Sequence, residues 1–239
     1  MNRIIRPSKE EQFYAYPNDM GFWADKKRDF VKPFADATGR WFLDARIHKK
    51  ITRLKRDNPT LVIGETHCHS TFSDGKHSVE DILRRASRLQ LDYVVITDHL
   101  LPRKYLIESI FKSWEKQAQY IDEWDQLNDP IKIYPALEMS ALEGHLILIF
   151  DPEYLSPKKF SDISLQFSEF DDQFFSMLEI IPRIGSFGGI SIVPHPNKKR
   201  AYPFGASIEW IKENLIGLTD GIEDVSSGHG YQENYSEKL

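Results

Sequence analysis

From residue 60 onward the chain alternates between short runs that are apolar on both faces and stretches with a helical period. Runs of that kind separated by helices point to a parallel sheet covered by helices, an α/β fold. Strands are predicted over 61–65, 93–97, 131–136, 145–150, 190–193 and 221–225. Ser78 and Asp81 have the spacing of a helix N-terminal capping box. Val79, Ile82, Leu83, Ala86 and Leu89 then share one face as far as residue 90. A long helix is expected over 106–126, striped by Ile110, Trp114, Ala118 and Ile121. Residues 155–170 show little pattern and read as a loop. A helix over 171–180 is expected to be divided by Pro182 from a short second piece. Ser207 opens a further helix to about residue 215.

Residues 1–60 differ from the rest. They are rich in Lys, Arg, Asp and aromatic residues, and Pro7, Pro17 and Pro33 interrupt them. They read as a partly helical N-terminal extension, with a helix near 34–56, before a main domain over 61–239. The basic run from His48 to Arg56 reads as a solvated helix face. Of the 239 residues, 41% are hydrophobic and 13% aromatic, enough for a substantial core and against wholesale disorder. A net charge of −5 argues against a general nucleic-acid coat protein but permits a local basic site. One cysteine rules out an intramolecular disulfide and any Cys₄ zinc site. The N-terminus lacks the apolar core of a signal peptide, and the apolar run at 146–150 is far short of the roughly 20 residues of a membrane span. A cytoplasmic protein without membrane contact is therefore expected.

In α/β folds of this kind chemistry gathers at the C-terminal ends of the strands. The polar residues fall there. Thr66-His67-Cys68-His69 follows the first strand, and alternation points His67 and His69 the same way and Cys68 the other. Two imidazoles on one face can chelate a metal; Cys68 reads as a small buried hydrophobe. Asp74-Gly75 follows, either a second carboxylate ligand or an ordinary turn. Thr97-Asp98-His99 ends the second strand, with His99 assigned to a metal and Asp98 to orienting another histidine. Glu138 ends the third strand, as a bridging ligand or a cap. His145 opens the fourth, and His195 follows the fifth. Five histidines and two carboxylates thus lie beside the strand ends. Donors of this type without thiolate suit Zn²⁺, Mn²⁺ or Fe²⁺. Seven exceed what one tetrahedral ion needs, so two or three ions are implied. Two ions about 3.5–4 Å apart form a clamp for in-line phosphoryl displacement. Lys198, Lys199 and Arg200, and more weakly Arg103 and Lys104, are candidates for binding an anionic substrate, or are solvated turn residues.

The order HCH at 67–69, SDG at 73–75, TDH at 97–99, Glu138 with GH at 144–145, and PHP at 194–196 resembles the PHP (polymerase and histidinol phosphatase) superfamily of metal-dependent phosphoesterases. The resemblance covers about 61–225. It implies a distorted (β/α)₇ barrel and a two- or three-metal site. By position it implies that His67, His69, Asp74, His99, Glu138, His145 and His195 bind metal, with Glu138 bridging. It implies hydrolysis of a phosphomonoester or phosphodiester by metal-bound hydroxide, on a phosphorylated metabolite, a nucleotide or a nucleic-acid end. The residues 221–225, GIEDV, resemble the segment that precedes the family's final Asp-x-His motif. Nothing after Val225 has that spacing; His229 is a stand-in or a loop histidine. A barrel lacking its last strand is the expectation. Two other readings stay open: a non-catalytic PHP module acting as an interaction or structural domain, and an amidohydrolase-type C–N hydrolase, which also begins with HxH on a strand.

Overall fold

The computed structural model describes residues 40–124, 131–196, 205–226 and 231–232. In chain order the elements are α1 (Arg40–Asp57), β1 (Gly64–Cys68), α2 (Val79–Arg88), β2 (Tyr93–Ile96), β3 (His99–Leu100), α3 (Ile107–Trp124), β4 (Lys132–Ser140) and β5 (His145–Ile149). They continue with α4 (Pro157–Phe167), α5 (Met177–Gly185), β6 (Ile190–Val193), α6 (Ile208–Asn214), β7 (Gly221–Ile222), β8 (Val225–Ser226) and β9 (Tyr231–Gln232). Short 3₁₀ turns flank α4 at Pro152–Leu155 and Ser168–Asp171. No helix among the described residues is long and apolar enough to cross a membrane.

The main sheet has seven strands in the order β1-β2-β4-β5-β6-β7, with β3 also paired to β4. β2 and β3 act as one interrupted strand, both parallel to β4: Ile96 faces Pro135, and His99 faces Glu138. The expectation of a purely parallel sheet is corrected. β5 runs antiparallel to both β4 and β6, while β6 and β7 are parallel. The reason is chain length. Only residues 141–144 join β4 to β5, closed by the Ala141 amide donating to the Gly144 carbonyl at 2.8 Å. A parallel crossover needs a dozen residues or more. The reversal carries His145, at the start of β5, to the same end of the sheet as Glu138, near the end of β4.

β1 and β7 are the outer strands, and five interstrand steps would separate them by about 24 Å in a flat sheet. Yet His67 Nδ1 at the end of β1 lies 3.3 Å from Glu223 Oε1, just past β7. The sheet is therefore curled into a half-barrel whose edges converge at the C-terminal ends of its parallel strands. Both faces are apolar. Val94, Ile96, Leu137, Leu146 and Leu148 face outward into the main core under the helices, with Trp114 and Phe167. Val95, Ala136, Ile147 and Ile149 form a second cluster inside the curl. By alternation Glu138 and His145 lie on that same inner side, above this apolar floor.

Several local expectations hold and two fail. Ser78 Oγ accepts from the Asp81 amide, and Ser207 Oγ from the Trp210 amide, as N-caps. The segment expected to be a loop contains α4, with Pro157 at its first turn and Phe160, Ile163 and Phe167 buried along one face. Pro182 does not divide a helix; it sits inside α5, which a Ser176/Glu179 capping box begins. An interior proline costs about 3 kcal/mol, and burial of Met177, Ile180, Ile181 and Ile184 holds the helix across it. The helix expected near 34–56 is α1; Asp44 takes two hydrogen bonds from Arg85, and Lys55 bonds Asp92 at 2.7 Å.

Candidate metal centre

Glu138 is fully buried, and its two oxygens collect ring nitrogens from five histidines. Oε2 lies 3.3 Å from His67 Nε2, 3.3 Å from His69 Nε2 and 3.2 Å from His99 Nδ1. Oε1 lies 2.7 Å from His145 Nδ1 and 2.9 Å from His195 Nε2. β1, β3, β5 and the turn after β6 each deliver their histidines to this point. Asp74 borders the group from the loop after β1, with Oδ1 3.9 Å from His69 Nδ1 and Oδ2 3.6 Å from His99 Nε2. All seven residues assigned to a metal from the sequence are thus brought together. A bulge between Glu65 and Cys68 breaks the register of β1 with β2 at this point. Bulges of this kind re-aim side chains.

The electrostatics fit a cation. Burial favours the neutral carboxyl at Glu138, but His145, His99 and His67 outweigh it and hold the group well below the usual carboxylate range. Burial pulls His67 down; the Glu138 charge and hydrogen bonds to Glu138 and Glu223 prevail and push it up to about 10. His69 goes the other way, to about 3, through burial and the neighbouring His99. Five imidazoles round one carboxylate cannot all accept protons, so neutral rings with free lone pairs remain. The buried Nδ1 of His69 has no hydrogen-bond partner, as a nitrogen awaiting a ligand would. Three sets of donors have ligand atoms within 4.8 Å of one another: His67, His69 and Glu138; His69, Asp74 and His99; and His99, Glu138 and His145. Nitrogen and carboxylate oxygen are suitable donors for Zn²⁺, Mn²⁺ or Fe²⁺. Cys68 is turned away, its thiol donating to the Val95 carbonyl at 3.5 Å.

The loop from Ser70 to His77 sets Asp74. The Ser70 carbonyl accepts from the amides of Ser73 and Gly75, and the Thr71 amide donates to the His77 carbonyl. A Cβ at Gly75 would fall 2.0 Å from the His69 carbonyl oxygen. Gly75→Ala is therefore expected to displace the loop and lower metal content by several-fold. Elemental analysis of purified protein checks this, and full metal content would contradict it.

Asp98 does not orient a histidine. Its Oδ1 accepts from the Ser70 amide and the Ser73 hydroxyl, both at 2.7 Å. Its Oδ2 accepts from Ser70 Oγ at 2.6 Å and Ser113 Oγ at 2.7 Å. Four donors fill the lone-pair sites of a carboxylate, so none remains for an imidazole. Arg103 is exposed in the turn after β3, at φ +64°, its amide bonded to the Asp171 carbonyl. Lys198, Lys199, Arg200 and His229 lie outside the described residues. Two acidic residues went unassigned in the sequence. Glu65 accepts from the His67 amide, and burial raises its pKa. Glu223 contacts His67 Nδ1 and accepts from the His195 amide at 2.6 Å. Their only local marks are an acidic residue two places before HxH and another in the middle of the strand expected over 221–225, and neither mark shows its partner.

Residues 65–180 match the family model of the PHP domain. No curated protein matches the sequence. Among solved structures, the chain is similar to a Bifidobacterium adolescentis protein provisionally described as a metal-dependent phosphoesterase. The two are 16% identical over 74% of this chain and 81% of that one, with a TM-score of 0.50. That likeness is one of fold. The chain is also similar to a Chromobacterium violaceum amidohydrolase with bound sulfate and no metal, at 14% identity and a TM-score of 0.42 over 67% of this chain and 76% of that one. A two-domain Bacteroides vulgatus protein containing a predicted PHP-like metal-dependent phosphoesterase matches at 19% identity and a TM-score of 0.43, over 67% of this chain and 43% of that one.

Proposed function

Because residues 65–180 of this chain match the family model of the PHP domain, we propose that the protein is a metal-dependent phosphoesterase acting on a phosphomonoester or phosphodiester. The observation that carries the proposal is the convergence of five histidine nitrogens within 3.3 Å of the two oxygens of Glu138. In this reading His67, His69 and Glu138 hold one divalent ion, His99, Glu138 and His145 hold a second, and Asp74 and His195 complete the set. When bound, the ions supply Lewis-acid stabilisation of charge on the phosphoryl oxygens and acidify water.

The chain's own residues do the rest. Glu138 places negative charge between the two sets of imidazoles and keeps the cations together. The apolar floor of Val95, Ala136, Ile147 and Ile149 excludes water from below. Asp74, with 55% of its side chain exposed, marks the open side from which a substrate enters. Lys198, Lys199 and Arg200 follow His195 in sequence and are assigned to the substrate's charge, with Arg103 a second cation after β3. The substrate is a nucleotide, a nucleic-acid end or another phosphorylated metabolite. Among the described residues, the half-barrel is read as part of a (β/α)₇ barrel that is open between the outer strands β1 and β7. Ligation requires neutral imidazoles, so metal occupancy and rate fall together in acid.

The test is hydrolysis of a phosphomonoester, a phosphodiester and a cyclic amide by the full chain with Mn²⁺ or Zn²⁺. Turnover of a phosphoester, abolished by chelator, is the expected result. Turnover of the amide alone would overturn the proposal, and metal binding without turnover of any substrate would make the domain a non-catalytic module.

A further inference from the structure

Glu223 follows Gly221–Ile222, and its amide donates to the Val193 carbonyl at 2.9 Å, which fixes it beside the end of β6. Its two carboxylate oxygens then serve two different strands. Oε1 lies 3.3 Å from Nδ1 of His67, at the end of β1. Oε2 accepts from the backbone amide of His195, after β6, at 2.6 Å. The other nitrogen of His67, Nε2, is the one that faces Glu138 Oε2. His195 has φ +30°, a conformation that a side chain with a Cβ rarely takes. The short hydrogen bond from its amide to Glu223 holds it there, with Nε2 against Glu138 Oε1.

We propose that Glu223 is a positioning residue of the metal centre, fixing both His67 and His195 for ligation. The inference rests on the metal-centre reading given above. A carboxylate that accepts from Nδ1–H sets the imidazole tautomer and leaves the Nε2 lone pair for the ion. The same carboxylate stabilises the strained backbone that aims His195. One side chain beside β7 thereby couples ligands from the two sides where the curled sheet comes closest to closing. This is the role expected of Asp98 from sequence, carried out by a different carboxylate.

The experiment is titration of the full chain with Zn²⁺ alone against a competing chelator, for the wild type, Glu223→Ala and Glu223→Gln. Long-range ¹H–¹⁵N NMR of the Zn²⁺-loaded wild type gives the His67 tautomer. The alanine variant is expected to bind Zn²⁺ about 10–100-fold more weakly, the range typical for loss of an outer-shell partner. The glutamine variant should recover part of that loss, because its single carbonyl oxygen can accept from only one of the two donors. The wild-type His67 should carry its proton on Nδ1. Wild-type affinity in the alanine variant, or a His67 proton on Nε2, would overturn the inference while leaving the metal centre standing. A wild type that binds no Zn²⁺ would overturn both. If the alanine variant does not fold, the wild-type tautomer decides.

Discussion

Glu138→Gln is expected to remove metal and hydrolysis together. The substitution keeps the shape of the side chain and leaves no cavity, so the effect isolates charge. In the native centre one buried carboxylate faces five imidazole nitrogens at 2.7–3.3 Å. An amide cannot replace it. Its nitrogen would point hydrogens at ring nitrogens that must offer lone pairs, and the buried anion that faces all five rings would be gone. The loss of affinity should exceed the 10–100-fold typical of an outer-shell partner. Turnover should fall on the order of 10⁴-fold, the scale seen when one member of an interdependent catalytic unit is removed. Metal analysis and a phosphoesterase assay on one preparation check both. Full metal content in the variant would contradict the account.

The second large effect is expected at Asp98. Asp98→Ala should lower stability by about 3 kcal/mol or more, since hydrogen bonds to a charged group contribute roughly 1.5–3 kcal/mol each. It would leave the Ser70 amide and the hydroxyls of Ser70, Ser73 and Ser113 without their acceptor. Ser70, Ser113 and Asp98 are all buried, so water does not readily take its place. Ser73 precedes Asp74, so the loss also loosens the loop that presents Asp74. Asp98→Asn should be much milder. Its carbonyl oxygen can still accept from the Ser70 amide, while the hydroxyls can rotate to accept from its NH₂. Urea unfolding of the two variants checks the order. Equal stability of Asp98→Ala and wild type would contradict the network's role.

These two carboxylates also show what sequence could and could not reveal. The histidines and Glu138 were legible because strand alternation and strand ends are local properties, and a site at the strand ends gathers them whatever the helices do. The direction of β5 was missed. The eight residues between the strands expected over 131–136 and 145–150 are too few for a parallel crossover, but the apolar content of the strands masked that simpler signal. α4 was missed although Phe160, Ile163 and Phe167 have helical spacing; exposed Leu165 and the polar residues between them diluted the stripe. The partners of Asp98 and Glu223 were not legible. Asp98 bonds Ser113 on a helix, and Glu223 bonds His67 from 156 positions away. Such pairings follow from how the sheet curls, which no local pattern encodes.

The central claim is that Glu138 and its histidines are a metal centre. Its most direct measurement is a crystal structure of the full chain soaked in Mn²⁺ or Zn²⁺, with anomalous scattering recorded at the metal edge. The account predicts at least one ion, and two at full loading, bound to Glu138 and to nitrogens among His67, His69, His99 and His145. Anomalous density absent from this cluster, with the histidines still packed against Glu138 at saturating metal, would contradict it.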